Sequence, residues 1–285
     1  MRLQGSRRSE NVEDRRGMSV GRGVAGGGGA ILIILLISWL LGADPTSLLT
    51  QVGTETGGMP AETGQAPPPP AGDAMADFVS AVLGETEDVW REIFRRNGER
   101  YRDPRLVLFS GSVRSACGLA GSATGPFYCP GDEKVYLDMA FFSELSDRYD
   151  APGDFAHAYV IAHEVGHHVQ NLLGITDRVH SARGRVRQEE YNELSVRLEL
   201  QADFLAGVWA HHAERARRVL EEGDIEEALN AASQIGDDRM QMRARGYVAP
   251  DSFTHGSGEQ RVRWFTSGLQ TGELKACDTF NTARL

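Results

Sequence analysis

The stretch Ile161-Ala-His-Glu-Val-Gly-His-His-Val-Gln170 decides how this chain is read. Within it, His163-Glu164-x-x-His167 sets two imidazoles four positions apart. On an α-helix that spacing is one face, so both rings can reach a single ion. Glu164 is rotated about 100° from His163, where a carboxylate can take a proton from water held beside the ion. Phe155, Tyr159, Val165, Val169 and Leu172 flank the motif and predict a buried helix from Asp154 to Leu173, stopped at Gly174. The five-residue pattern also arises by accident, but three histidines within six residues of a core helix are hard to account for by packing. His168 lies off the face of His167 and is expected to make a packing contact. His157, His180, His211 and His212 have no partner at a useful spacing.

Two imidazoles need a third ligand. One class of such sites supplies Gly and His three and six residues beyond the second histidine, but here those positions are Gln170 and Leu173. The other source is a carboxylate from a following helix. Glu199-Leu-Gln-Ala-Asp203 provides two acids four apart, with Glu199 as the ligand and Asp203 as acceptor of the spare N–H of a ligand histidine. Ala202, Ala206 and Gly207 would let that helix approach the first closely. Imidazole plus carboxylate with an open fourth position suits one zinc ion. His255, in the loop Thr254-His-Gly-Ser257, could donate a hydrogen bond to an oxyanion beside such a site.

Outward from this centre the chain stays helical. A helix is expected from about Glu189 to Arg218 and another from Ile225 to about Met240. A capping box, Ser257 with Gln260, opens a last helix through Phe265, stopped at Gly268. Upstream, apolar residues between Phe78 and Phe94 recur at helical spacing. Leu106–Phe109 reads as a strand, and Phe127–Asp138 as a hairpin turning at Pro130-Gly131-Asp132. These elements predict an α+β domain, mostly helical around a small antiparallel sheet, over residues 74–285.

The net charge of -10 gives nucleic acid no footing as a partner. Residues 1–23 run against that charge, with six arginines opposing three acids, and read as a basic cytoplasmic N-terminus. Residues 24–43 carry no charge except in their neighbours and end in Ala30-Ile-Leu-Ile-Ile-Leu-Leu-Ile-Ser-Trp-Leu-Leu41. They are expected to form one transmembrane helix, with a cleaved signal peptide as the alternative. Residues 44–73, rich in Pro and Gly, read as a linker. The arginine excess predicts a single-pass inner-membrane protein whose catalytic domain is extracytoplasmic, in the periplasm. Of the three cysteines, Cys117 and Cys129 are the candidate disulfide. Three ordinary buried thiols are the alternative.

Taken together, these residues closely resemble the bacterial neutral zinc metallopeptidase family, the YpfJ-like group, over about residues 74–280. The resemblance rests on Thr86-Glu-Asp-Val-Trp90, Gly125-Pro-Phe-Tyr-Cys-Pro130, Val135-Tyr-Leu-Asp138, the His163–Gln170 block, Glu199–Asp203, Ile235-Gly-Asp-Asp238, Thr254-His-Gly256 and Cys277-Asp-Thr-Phe280. It implies a zincin-like fold with a glutamate third ligand, a protein or peptide substrate, and catalytic roles for Glu164 and His255. Val135, Tyr136 and Leu137 are then the expected strand on which an extended substrate docks. A non-hydrolytic zinc-binding envelope scaffold and a membrane-tethered interaction module are the competing readings.

Overall fold

Helical periodicity from residue 74 onward is realised as eight α-helices among the described residues of the computed structural model, which are 1–18, 66–121 and 124–285. They are α1 (Ala74–Arg96), α2 (Ala140–Asp147), α3 (Asp154–Leu172), α4 (Ile175–His180), α5 (Gln188–Arg217), α6 (Asp224–Gln234), α7 (Asp237–Arg245) and α8 (Gly258–Thr271). With two small sheets beside them, the fold is mostly helical and α+β in kind. Asp73 caps α1 by accepting from Ala76 N, and Ser257 with Gln260 forms the expected capping box at α8.

Helix α5 is the hub. It packs against α3 on one side and α8 on the other. Gly207 and Gly268 face each other across the α5–α8 crossing: a Cβ on Gly268 would lie 2.0 Å from the Phe204 carbonyl oxygen, and one on Gly207 2.1 Å from that of Phe265. Gly268 is therefore not the stop predicted for α8. It is an interior position where two backbones meet, and the helix runs on to Thr271. The single helix expected from Ile225 to Met240 is instead two, broken at Gly236 between α6 and α7.

The sheet also departs from expectation. Its strand order is β1-β2-β6-β5, with β1 (Val12–Asp14), β2 (Arg105–Phe109), β5 (Phe127–Cys129) and β6 (Lys134–Asp138). The β1–β2 and β2–β6 pairs are parallel, and only β5–β6 is antiparallel, as the predicted hairpin. The sheet is mixed. A separate antiparallel hairpin, β3 (Ser112–Ser115) with β4 (Gly118–Gly121), carries Cys117 at its turn, and the Cys117–Cys129 disulfide ties that turn to β5.

Strand β1 comes from the N-terminus, which the sequence assigned to a tail outside the domain. Residues 1–16 instead belong to the same compact unit as residues 67–285. Val12 enters the core at 5% exposure. The buried Glu13 is neutralised by Lys134 (2.9 Å), Arg105 (3.1 Å) and Arg15 (2.8 Å). Glu87, deep in α1, takes hydrogen bonds from Ser9 Oγ (2.6 Å) and Asn11 Nδ2 (2.7 Å) and an ion pair from Arg7. Short, charged β1 has no strand-like alternation; its pairing depends on partners about 90 to 120 residues away. Among the described residues no helix is long and apolar enough to cross a membrane. The expected span at 24–43 and all but the end of the linker at 44–73 lie outside the described residues.

Candidate metal centre

Helix α3 carries His163, Glu164 and His167, and α5 carries Glu199 and Asp203. Gly166 makes the approach of the two helices possible: a Cβ there would stand 3.0 Å from the Ala202 carbonyl oxygen. Both Nε2 atoms turn toward one carboxylate. His163 Nε2 lies 3.1 Å from Glu199 Oε2, and His167 Nε2 lies 3.4 Å from Glu199 Oε1. One donor atom from each of the three residues falls within 4.8 Å of the others, a grouping able to hold a metal ion. The donor set, two neutral imidazoles and a carboxylate, fits zinc.

The far nitrogen of each ring is held separately. His163 Nδ1–H donates to Asp203 Oδ1 at 2.8 Å. Asp203 also accepts from Tyr159 OH (2.5 Å), Arg261 Nε (2.9 Å) and Arg261 Nη2 (3.0 Å). His167 Nδ1–H donates to Gln170 Oε1 at 2.8 Å, and the Gln170 amide in turn donates to the Leu198 carbonyl at 2.6 Å. Fixing Nδ1 as the donor leaves Nε2, facing Glu199, as the nitrogen whose proton a metal ion would displace. Sequence reading assigned nothing to Tyr159, Gln170 or Arg261. Tyr159 was readable as the next rung of an i, i+4 ladder with His163 and His167. Gln170 served only to exclude a third histidine. Arg261 had one signal, a cation on the buried face of a helix beside Trp264 and Phe265.

The electrostatics follow from burial and these pairs. Burial pushes Asp203 up, but Arg261 and His163 more than offset it and hold the carboxyl at about 2. Burial lowers His163, yet Asp203 and Glu199 raise it to about 10 in the metal-free protein. His167 is likewise raised, burial being overcome by Glu199. Glu199 lies well below the ordinary glutamate range: burial raises it, and the two histidines overcome that. Glu164 differs. Its burial dominates and raises it, despite the histidines beside it.

His163, Glu164, His167 and Glu199 line a cavity of about 520 Å³. His255 reaches it from the loop before α8, with Nδ1 3.2 Å from Asp237 Oδ1. Asp237 Oδ2 also accepts the backbone N–H groups of Thr254 (2.7 Å), His255 (2.6 Å) and Gly256 (3.1 Å), so one carboxylate shapes the whole loop. Asp238 accepts from Gly258 N, the first residue of α8, at 2.8 Å. The tripeptide Gly236-Asp237-Asp238 thus fastens the His255 loop and the start of α8 to α7. His168 is buried away from the cavity, bridging Tyr128 OH (3.0 Å) and the Arg102 carbonyl (2.6 Å).

The expected docking strand needs correction. Val135, Tyr136 and Leu137 lie in β6, flanked by β2 and β5 and 1% exposed, so neither their backbone nor their side chains can receive a chain. Strand β5 is one of the two edges of that sheet, and its Phe127 and Tyr128 line the cavity. Periodicity identified both strands of the hairpin but not which one lay outermost, because β2 pairs with β6 from a distance in sequence.

Residues 1–280 match the model of a family described as "Putative neutral zinc metallopeptidase". The match includes the N-terminal residues that form β1. An uncharacterized protein of Escherichia coli (strain K12), YpfJ, is 47% identical over 291 residues, covering 98% of this chain and 99% of its own length. Uncharacterized proteins of Mycobacterium tuberculosis (strain H37Rv) and Mycobacterium bovis are each 40% identical over 261 residues, 86% of both chains. No solved structure matches the chain.

Proposed function

The chain belongs to the neutral zinc metallopeptidase family, and from that premise we propose that it is a membrane-attached peptidase of zincin-like design. His163, His167 and Glu199 would hold one zinc ion. The observation that carries this reading is the convergence of two Nε2 atoms on one carboxylate while Asp203 and Gln170 hold the opposite nitrogens. A zinc ion in that position supplies a Lewis acid for a peptide carbonyl and lowers the pKa of a water to about 7. Glu164 is the general base. Its buried carboxyl, raised above the ordinary glutamate range, accepts a proton from the attacking water and returns it to the leaving nitrogen. His255, oriented by Asp237, donates to the oxyanion that forms on the carbonyl.

An extended peptide substrate would add to the free edge of β5, its backbone pairing with Phe127–Cys129 and its side chains entering the cavity. The Cys117–Cys129 disulfide at that edge supports an oxidising, extracytoplasmic location for the domain. The uncharged sequence 24–43 supports attachment to the inner membrane.

Two variants test the reading. Glu164→Gln is expected to keep stoichiometric zinc while losing at least about 10²-fold in peptide-library hydrolysis. Glu199→Ala is expected to lose zinc itself. Unchanged turnover in the first would remove Glu164 from the mechanism, and full zinc occupancy in the second would remove Glu199 from the ligand set.

A further inference from the structure

We infer that Met1–Arg16 and the catalytic domain lie on the same side of the membrane, so that the sequence between them does not make a single crossing. The inference rests on the membrane attachment proposed above and changes its topology.

Five of the six arginines that give the N-terminus the look of a cytoplasmic anchor flank lie among the described residues. Arg7 pairs with Glu87 and Asp88, Arg8 with Asp77, Arg15 with Glu13, and Arg16 with Asp14 and Asp73. Arg2 lies 3.6 Å from Glu221. Each is matched to an acid, most of these on the domain. The positive-inside rule reads such arginines as an orientation signal for a spanning helix. Here those cations belong to the fold.

Connectivity then sets the limit. The chain leaves the domain at Arg16 and is back at Pro67, and the two ends are neighbours: Asp14 N donates to the Pro67 carbonyl at 2.8 Å. A single crossing by residues 24–43 would put Val24 and Ala43 on opposite sides of a hydrocarbon core about 30 Å thick. With residues 1–16 docked on the domain, either residues 44–66, which carry Asp44, Glu55 and Glu62, or residues 17–23 would have to recross that core. Seven residues reach at most about 25 Å when fully extended, and this segment contains Arg22. The apolar run Ala30–Leu41 is itself short: twelve residues span only about 18 Å even as a helix.

Undocking the arm would remove the obstacle at high cost. Glu87, whose side chain is 0% exposed, would lose Arg7, Ser9 and Asn11 together. Glu13 would leave Lys134 and Arg105, and β2 would lose one of its two parallel neighbours. A buried carboxylate without partners is among the more costly defects a fold can carry.

Labelling of the full chain in its native membrane tests this. In a Cys277→Ala background, Glu10→Cys reports the arm and Glu222→Cys reports the domain, both at exposed positions. Spheroplasts and lysed membranes are treated with a membrane-impermeant maleimide, and the membranes are extracted with alkaline carbonate. The expected result is retention in the membrane fraction with both cysteines labelled in the same preparation, whether before or only after lysis. Retention with one cysteine labelled before lysis and the other only after it would overturn the inference alone. Release by carbonate would overturn the membrane attachment and the inference with it.

Discussion

Asp203 and Glu87 are both carboxylates with side chains 0% exposed, and each gathers several donors. The donors to Asp203 come from two helices: His163 and Tyr159 on α3, and Arg261 on α8. The donors to Glu87 come from one short stretch, Arg7, Ser9 and Asn11, and all serve to fasten that stretch to α1. Similar desolvation is overcome in both places, with different returns. At Asp203 one donor, His163, has its other nitrogen aimed at the candidate metal position. At Glu87 the other bonds of Arg7, to Asp88 and the Gly84 carbonyl, serve the same fastening. A buried polar cluster is therefore not by itself a sign of chemistry; what separates the two is a member whose remaining atom points into a cavity.

The comparison is broken most severely at Asp203. Asp203→Ala leaves Arg261, 4% exposed, without its carboxylate, and is expected to cost about 3–5 kcal/mol of stability. It should also lower zinc affinity by roughly 10–100-fold, because His163 loses the acceptor that fixes its tautomer. Denaturant unfolding and a zinc titration measure the two effects. A stability loss with unchanged zinc affinity would make this cluster as purely structural as the one at Glu87.

Asp237 sharpens the contrast next. Asp237→Ala frees three backbone N–H groups and the His255 ring but touches neither ligand histidine. Loss of one oxyanion donor lowers kcat by roughly 10²–10³, and kcat is expected to fall within that range while zinc content stays full. A change confined to KM would assign the His255 loop to substrate binding alone. At Glu87 the expected effect is smaller. Glu87→Ala should destabilise by about 1–3 kcal/mol and open the arm to trypsin at Arg7 and Arg8, with zinc affinity unaltered. Lowered zinc affinity in this variant would show that the two clusters are coupled.

How legible each region was in the sequence follows from the same contrast. His163, Glu164 and His167 lie within five residues, and Glu199 and Asp203 share a four-residue spacing. Helical geometry alone puts each set on a common or adjoining face. Tyr159 belongs to the same ladder and was within reach of that reasoning. Arg261 lies 58 residues from Asp203, and nothing local marks the pair. The arm was the extreme case. Its arginines Arg2, Arg7, Arg8 and Arg16 read as free positive charge because Glu221, Glu87, Asp77 and Asp73 are brought to them only by the folded domain. The hairpin β5–β6 was local and was found; the order of strands around it was set by β2 and β1 and was not. Gly268 read as a helix stop because a glycine looks alike whether it ends a helix or admits a neighbouring backbone.

The finest test of the contrast is the pH dependence of zinc binding. In the metal-free protein, burial lowers His163, but Asp203 and Glu199 raise it to about 10; His167 is also raised, by Glu199. His163 therefore retains a proton that zinc must displace, and the upward shift of His167 acts in the same direction, so affinity increases with pH through neutrality, by about tenfold per pH unit for each proton released. Glu199 and Asp203 are held below their ordinary ranges, are ionised throughout the neutral region and add nothing to that slope. Asp203→Asn removes the largest upward influence on His163 while leaving Arg261, which acts downward. The His163 proton should then be lost at lower pH, and the dependence of zinc affinity should flatten between about pH 8 and 10. Glu87→Ala, remote from both rings, should leave the slope as it is. Equal slopes in the wild type and Asp203→Asn would mean that Asp203 does not set the affinity of His163 for the Nε2 proton that zinc displaces.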